Sequence, residues 1–308
     1  MLKHRLLMSA LLIPATIGLF VWDHHLGNSG HVLLVLLLFI SARCVWELVV
    51  MARLAGFRPN LMLTKAATWS LILFGWVPIW SMFHFDWYLL NPPLEKMFLM
   101  WGVVATLLVM NSVFRYPVIR QDQSVDELKQ TDIPISRGRE IGTLGIELLI
   151  VTYVGVLLTV TSQLRWTGGY FALGALIVAT KMGDVGAYTF GRLIGGTKMT
   201  PKLSPGKTWA GGVGHIVTAA AFSIVWLSWL GPKISMDWPS WGVLPASFFG
   251  ILVGFAGLIG DLAESLIKRD VGVKDAPALL PGFGGLLDLM DSILLAGPVA
   301  YFMWHLLS

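Results

Sequence analysis

Charge is what this chain of 308 residues has least of. Lysine, arginine, aspartate and glutamate make up 13% of it, against roughly 25% in an ordinary soluble domain. The length alone suggests about two soluble domains, but so few charges cannot solvate two globular surfaces. Disorder is excluded as well, because 56% of the residues are apolar and the net charge is only +4. That small net charge, with no continuous basic stripe, argues against a nucleic-acid partner. The single cysteine, Cys44, lies in an apolar run, which excludes an intrachain disulfide and a cysteine-based zinc site. What is abundant is apolar sequence, with fourteen tryptophans, and the chain reads as an integral membrane protein.

A helix crossing the hydrocarbon core needs about 20 mostly apolar residues. Nine stretches qualify: 6–22, 31–51, 66–86, 96–114, 142–163, 168–190, 209–230, 241–262 and 286–306. The expected fold is therefore all-α, a polytopic membrane protein of about nine transmembrane helices. Residues 1–140 are expected to form the N-terminal helices and a charged connector, and 141–308 a C-terminal domain carrying the chemistry. The first stretch follows Lys3-His4-Arg5 and imitates a signal peptide; no small-residue cleavage site follows it, so an uncleaved anchor is expected.

With the N-terminus in the cytoplasm, seventeen basic residues fall in inside segments and three outside, a strong positive-inside signal. The expected location is the cell membrane, with the N-terminus and the active site cytoplasmic. Aromatic clusters at 83–88 and 238–241 fit the outer interface. The stretch 115–140, with ten charges in 26 residues, reads as a solvated connector with a short amphipathic helix around 124–131. No repeat relates the two halves, which weakens a transporter built on inverted repeats.

Two cytoplasmic segments concentrate the remaining charge. Asp261, Glu264, Ser265 and Lys268 recur at i, i+3, i+4 and i+7, so they share one face of a helix that ends an apolar span. Asp288 and Asp291 likewise share a face at the start of the last span. Carboxylates at membrane depth are costly and usually face a cavity or a partner. Two such helix ends, joined by a Gly-Pro loop, suit a hard cation, and oxygen-only ligands point to Mg²⁺ rather than zinc. Asp261 and Asp288 are the leading metal ligands, with Asp184, Glu264 and Asp291 behind them. Lys202, Lys207, Lys268, Arg269 and Lys274 accompany these acids. Carboxylates for a metal plus cations for free oxyanions are the equipment of polyphosphate chemistry.

Ser204-Pro205-Gly206-Lys207-Thr208 imitates a P-loop, but the required upstream glycine falls on Pro201. The stretch reads instead as a basic turn entering a helix at Thr208, whose free N–H groups suit a phosphate. Arg192 and Lys198 are accounted for as well by the positive-inside rule. Close helix packing accounts for Gly211, Gly212 and Gly214. Arg43 with Glu47, and Lys181 with Asp184, stand one helical turn apart and are candidate pairs. Glu147 and His215 lack obvious partners, and His215 is expected to be a hydrogen-bonded packing residue.

Residues 265–291 resemble the signature of the CDP-diacylglycerol synthases, the phosphatidate cytidylyltransferases. Ser265, Lys268, Arg269, Lys274, Asp275, Pro281, Gly282, Gly284, Gly285, Asp288 and Asp291 match it in register. The stretches Asp184–Tyr188 and Ser204–Trp209 also look like that family's, so the likeness runs over 180–292. Two positions depart: Phe283 stands where the family usually has His, and Leu289 where it usually has Arg. A phenyl ring cannot donate a hydrogen bond, and leucine cannot pair with a phosphate.

The resemblance implies transfer of the cytidylyl group of CTP to phosphatidate, giving CDP-diacylglycerol and pyrophosphate in phospholipid biosynthesis. It implies Mg²⁺ with a monovalent cation such as K⁺. It places Asp261, Asp288, Lys207, Lys268 and Arg269 in catalysis. Ser204, Lys202, Lys274, Asp184, Gly284 and Gly285 are then the substrate-binding residues, and Asp291 and Glu264 further metal ligands. The expected partners are CTP, phosphatidate or a related lipid phosphate, membrane lipids, and a second copy of the chain as a homodimer. Two other readings stay open: cytidylyl transfer to a different lipid phosphate, such as an isoprenoid one, and a non-catalytic membrane protein or transporter.

Overall fold

The computed structural model describes residues 18–23, 25–26, 30–76, 93–121, 139–234, 240–273, 277 and 284–307. Within them the chain is helical apart from one small β-hairpin, and seven helices are long and apolar enough to cross a membrane. The protein is thus an all-α polytopic membrane protein, with the hairpin as the exception. The first expected span lies almost wholly outside the described residues. The third corresponds to a helix of only 14 residues, Leu61–Phe74, and residues 77–92 beyond it are outside the described set. The connector helix expected around 124–131 and the aromatic cluster at 83–88 also lie outside it.

The chain divides into two compact units, residues 1–37 with 157–308, and residues 38–156. The second unit holds most of α1 (His31–Leu54), α2 (Leu61–Phe74), α3 (Pro93–Gln121) and α4 (Arg139–Ile150), which runs on into a π-helical stretch, Val151–Val156. Its core is Ala67, Leu71, Val104, Leu108 and Val151. Several polar side chains of these helices find partners inside the unit, which offsets the cost of their burial in an apolar medium. Arg43 Nε donates to Glu47 Oε1 at 2.9 Å, the pair expected from their spacing. Glu147, for which the sequence offered no partner, accepts the backbone N–H of Asn60 at 2.7 Å. Asn60 in turn caps α2 by accepting from the N–H groups of Met62 and Leu63.

The first unit holds α5 (Leu157–Thr167), α6 (Gly169–Leu193), a hairpin of β1 (Lys198–Thr200) and β2 (Ser204–Thr208), α7 (Trp209–Ile224), α8 (Val243–Asp270) and α9 (Leu286–Leu307). At one end Trp304 packs against Trp241 at 4.9 Å and against Phe171 at 5.8 Å between ring centroids. At the other end the helices cross on small residues. A Cβ on Gly186 would stand 2.6 Å from the Gly214 carbonyl oxygen, and one on Gly211 would stand 3.0 Å from that of Ala187. Backbone therefore meets backbone where α6 crosses α7, which is the packing role expected for Gly211 and Gly214.

After α6 the chain turns through Gly195 and Gly196, both left-handed with φ of 64° and 93°. L side chains rarely adopt that conformation, so two glycines suit the turn into the hairpin. The strands pair antiparallel, Lys198 with Thr208 and Thr200 with Ser204, with an irregularity between them. Thr208 then caps α7, its Oγ1 accepting the Gly211 N–H at 3.1 Å. The basic turn expected to enter a helix at Thr208 does so, as the second strand of a hairpin.

Candidate active site

A cavity of about 520 Å³ opens in this unit among α6, α7, α8, α9 and β2. From α6 come Asp184, Tyr188 and Arg192, one stripe at i, i+4 and i+8. Lys207 and Thr208 enter from the hairpin and His215 from α7, while Asp261 comes from α8. The first two turns of α9 supply Asp288 and Asp291, followed by Ser292.

The charges are interlocked. Lys207 Nζ meets Asp261 Oδ2 at 2.7 Å. Lys268 Nζ is forked between Glu264 Oε2 and Asp288 Oδ1, each at 2.7 Å, and so ties α8 to α9. The second oxygen of Asp288 accepts the Gly285 N–H at 2.7 Å. Gly284 before it has a φ of 86°, and a Cβ there would strike the Asp288 carboxylate. The two glycines therefore hold Asp288 and do not line the cavity. On the α6 side, Asp184 lies 3.5 Å from Lys181 Nζ and 3.7 Å from His215 Nδ1. Lys181 also donates to the Leu289 carbonyl at 3.0 Å, which fastens α6 to the first turn of α9.

Carboxylate oxygens of Asp261, Glu264 and Asp291 lie within 4.8 Å of one another. Glu264 is buried, and its Oε1 makes no hydrogen bond among the described residues. An orphaned carboxylate oxygen beside two others is an oxygen-only donor set, and it fits a hard cation. The site thus has an acidic cluster able to hold a divalent metal, with Asp288 one turn away on the Lys268 fork.

The structure brings Asp184, Lys207, Asp261, Asp288 and Asp291 to one cavity, with Glu264 and Lys268 joined to them. It does not bring Lys202, Ser204 or Arg269 to the lining. Lys202 is exposed in the turn between the strands, and Ser204 begins β2. Arg269 Nε donates to the Leu203 carbonyl at 3.3 Å, bracing the end of α8 against the hairpin. Lys274 and Phe283 lie outside the described residues. Tyr188, Arg192 and His215 line the cavity without having been singled out for it. The four-residue spacing of Asp184, Tyr188 and Arg192 was the available signal.

Close approach between α8 and α9 depends on Gly260, beside Asp261. A Cβ there would overlap the Asp291 carbonyl oxygen. Gly260→Ala is expected to lower the unfolding temperature in detergent through strain of about 1–3 kcal/mol. Gly257→Ala, whose Cβ would meet Thr180 only at 3.4 Å, should change it little. Equal melting curves for the two variants would show that the crossing is not so tight.

Oxygen donors for a hard cation beside fixed ammonium groups, at the ends of membrane-crossing helices, define a membrane-embedded site suited to phosphate chemistry. A family model described as the cytidylyltransferase family matches residues 3–307, and the chain belongs to that family. It is 38% identical over 135 residues, 44% of this chain, to the uncharacterized protein YnbB of Escherichia coli. It is 36% identical over 140 residues, 45% of this chain, to the phosphatidate cytidylyltransferase of Haemophilus influenzae. To the enzyme of that name from Staphylococcus saprophyticus it is 36% identical over 152 residues, 49% of this chain. The matches cover 43%, 48% and 55% of those proteins, so the chain spans about half the length of the curated relatives it matches.

Proposed function

We propose that this protein transfers the cytidylyl group of CTP to phosphatidate, forming CDP-diacylglycerol and releasing pyrophosphate. The observation that carries the reading is one cavity in which Lys207 meets Asp261, lined also by Asp288 and Asp291, with Lys268 and Glu264 joined to them from behind. Membership of the cytidylyltransferase family supports the nucleotide, and the names of the relatives support the lipid.

A phosphate monoester is already anionic at neutral pH, so the acceptor needs no general base. One of its oxygens attacks the α-phosphorus of CTP. The bond from that phosphorus to the bridging oxygen breaks, and its electron pair leaves with pyrophosphate. The barrier is the repulsion between two anions, and fixed cations with in-line positioning reduce it. Lys207 faces the phosphates, Lys268 positions Asp288 and Glu264 behind the lining, and Arg269 steadies the hairpin that presents Lys207. Asp261, Glu264 and Asp291, with Asp288 and Asp184 alongside, would hold the divalent metal. Mg²⁺ bound there would supply Lewis-acid neutralisation of the triphosphate, with K⁺ as the accompanying monovalent ion. We place the chemistry in residues 141–308, on the cytoplasmic face of the cell membrane, supported by the seventeen-to-three distribution of basic residues.

The test is purified protein in detergent with CTP labelled at the α-phosphate and an acceptor panel. The expected result is Mg²⁺-dependent label in the lipid extract with phosphatidate and equimolar pyrophosphate. Label transferred only to an isoprenoid phosphate would replace the acceptor. No transfer, together with ion flux in proteoliposomes, would replace the reaction.

A further inference from the structure

We infer that Arg192 and Tyr188 form the receptor for the phosphomonoester headgroup of the acceptor lipid, at the rim of the cavity. The inference rests on the proposed reaction for its context, but its own observations are independent of turnover. Both residues line the cavity, and Arg192 Nη1 donates to the Tyr188 hydroxyl oxygen at 2.9 Å. That bond uses the phenol oxygen as acceptor and leaves its proton to be donated elsewhere.

The charge balance separates the two cationic side chains of the lining. Lys207 is held by Asp261 at 2.7 Å, whereas Arg192 has no carboxylate partner among the described residues. A guanidinium without a carboxylate, at the mouth of a cavity, matches a phosphate through two parallel N–H groups. The positive-inside rule requires only that Arg192 lie on the cytoplasmic side. It gives no reason for a hydrogen bond to a cavity-lining tyrosine.

The surroundings select a lipid as the carrier of that phosphate. Tyr188 is 67% exposed, and one turn before it on α6 stands Val185, 52% exposed. Leu193 and Ile194 follow Arg192 in the chain at 80% and 66% exposure. Trp209, 59% exposed, follows the cavity residue Thr208. Large exposed apolar side chains next in the chain to cavity residues suit acyl chains, with the headgroup turned to the guanidinium. Two of its oxygens are then engaged by Arg192 and one by the Tyr188 hydroxyl, which orients the monoester towards Lys207 and the acids of the lining.

The experiment uses the full chain in mixed micelles and two readouts. In kinetics, Arg192→Met is expected to raise the KM for phosphatidate about tenfold or more, with the KM for CTP unchanged. Arg192→Lys is expected to fall between, and Tyr188→Phe to give a smaller rise of the same kind. In native mass spectrometry without CTP, the wild type is expected to retain phosphatidate over phosphatidylcholine, and Arg192→Met to lose that preference. Soluble glycerol 3-phosphate should compete only weakly, because it lacks the chains. Competition as strong as that of phosphatidate would mean that the site reads the phosphate alone and would overturn the lipid assignment. A rise in the CTP KM instead of the lipid KM would transfer Arg192 to the nucleotide and overturn the inference. Unchanged kinetics and adducts would reduce Arg192 to a topological charge. Retained lipid preference in a protein that does not turn over CTP would sink the proposed reaction but not the headgroup site. Should Arg192→Met fail to fold, Arg192→Lys and Tyr188→Phe decide the question alone.

Discussion

Asp261→Asn is expected to lower the rate of cytidylyl transfer by more than about a hundredfold while leaving the unfolding temperature nearly unchanged. The substitution preserves shape and one oxygen but removes the charge. It takes one donor from the Asp261, Glu264 and Asp291 trio and the counter-charge from Lys207 in the same step. The Lys207 and Asp261 side chains are 20% and 33% exposed. The Lys207 ammonium is itself buried, and asparagine keeps one oxygen beside it, so the fold should lose far less than the activity. Initial rates with labelled CTP read the first, and Mn²⁺ titration followed by electron paramagnetic resonance reads ion binding without turnover. A rate within threefold of wild type, or undiminished Mn²⁺ binding, would remove Asp261 from the metal site.

Lys268→Met is expected to act in the opposite order, on the fold first. The lysine side chain is 13% exposed and lies 2.7 Å from the oxygens of two carboxylates, of which Glu264 is 2% exposed. Removing the ammonium leaves two acids facing each other with nothing between them. Breaking a buried ion pair in this way costs about 3–5 kcal/mol, and the α8–α9 contact should loosen with it. A clear drop in the detergent melting temperature is expected, with activity lost at all temperatures. Adding Glu264→Gln to Lys268→Met should recover part of the stability, since one uncompensated charge is gone, and none of the activity. A single variant that melts with the wild type would show that Lys268 does not carry that load.

The sequence was most legible where spacing along one helix decides the outcome. Asp261, Glu264 and Lys268 recur with the helical period, and α8 runs through all three, so their common face needed no tertiary information. Arg43 with Glu47, and Lys181 with Asp184, were readable for the same reason. What stayed hidden depends on chain folding back over long distances. Glu147 finds its partner at Asn60, 87 residues away. Lys268 and Arg269 are adjacent in sequence, yet the first turns to Asp288 and the second to the hairpin. Adjacent residues on a helix point about 100° apart, so a run of basic residues cannot all face one ligand. The resemblance places Ser204 and Lys202 with Lys207 at the substrate. The strand pairing instead sets them off the lining. Arg192 was obscured differently, since the positive-inside rule already accounted for an arginine at that end of α6.

The glycine contacts between α6 and α7 determine how this protein tolerates change. Where Gly186 meets the Gly214 carbonyl and the Thr218 side chain, and Gly211 meets the Ala187 carbonyl, backbone atoms themselves close the gap. A methyl group added there cannot be absorbed by a rotamer change. It must displace one helix, and with it the separation of Asp184 from Lys207. Bulky lipid-facing positions such as Val213 and Val217 carry no such constraint, because lipid re-forms around whatever they present. Variation should therefore accumulate at the largest exposed residues of α7 and be purged at its smallest, the reverse of the usual assumption that big core side chains are the ones a sequence must keep.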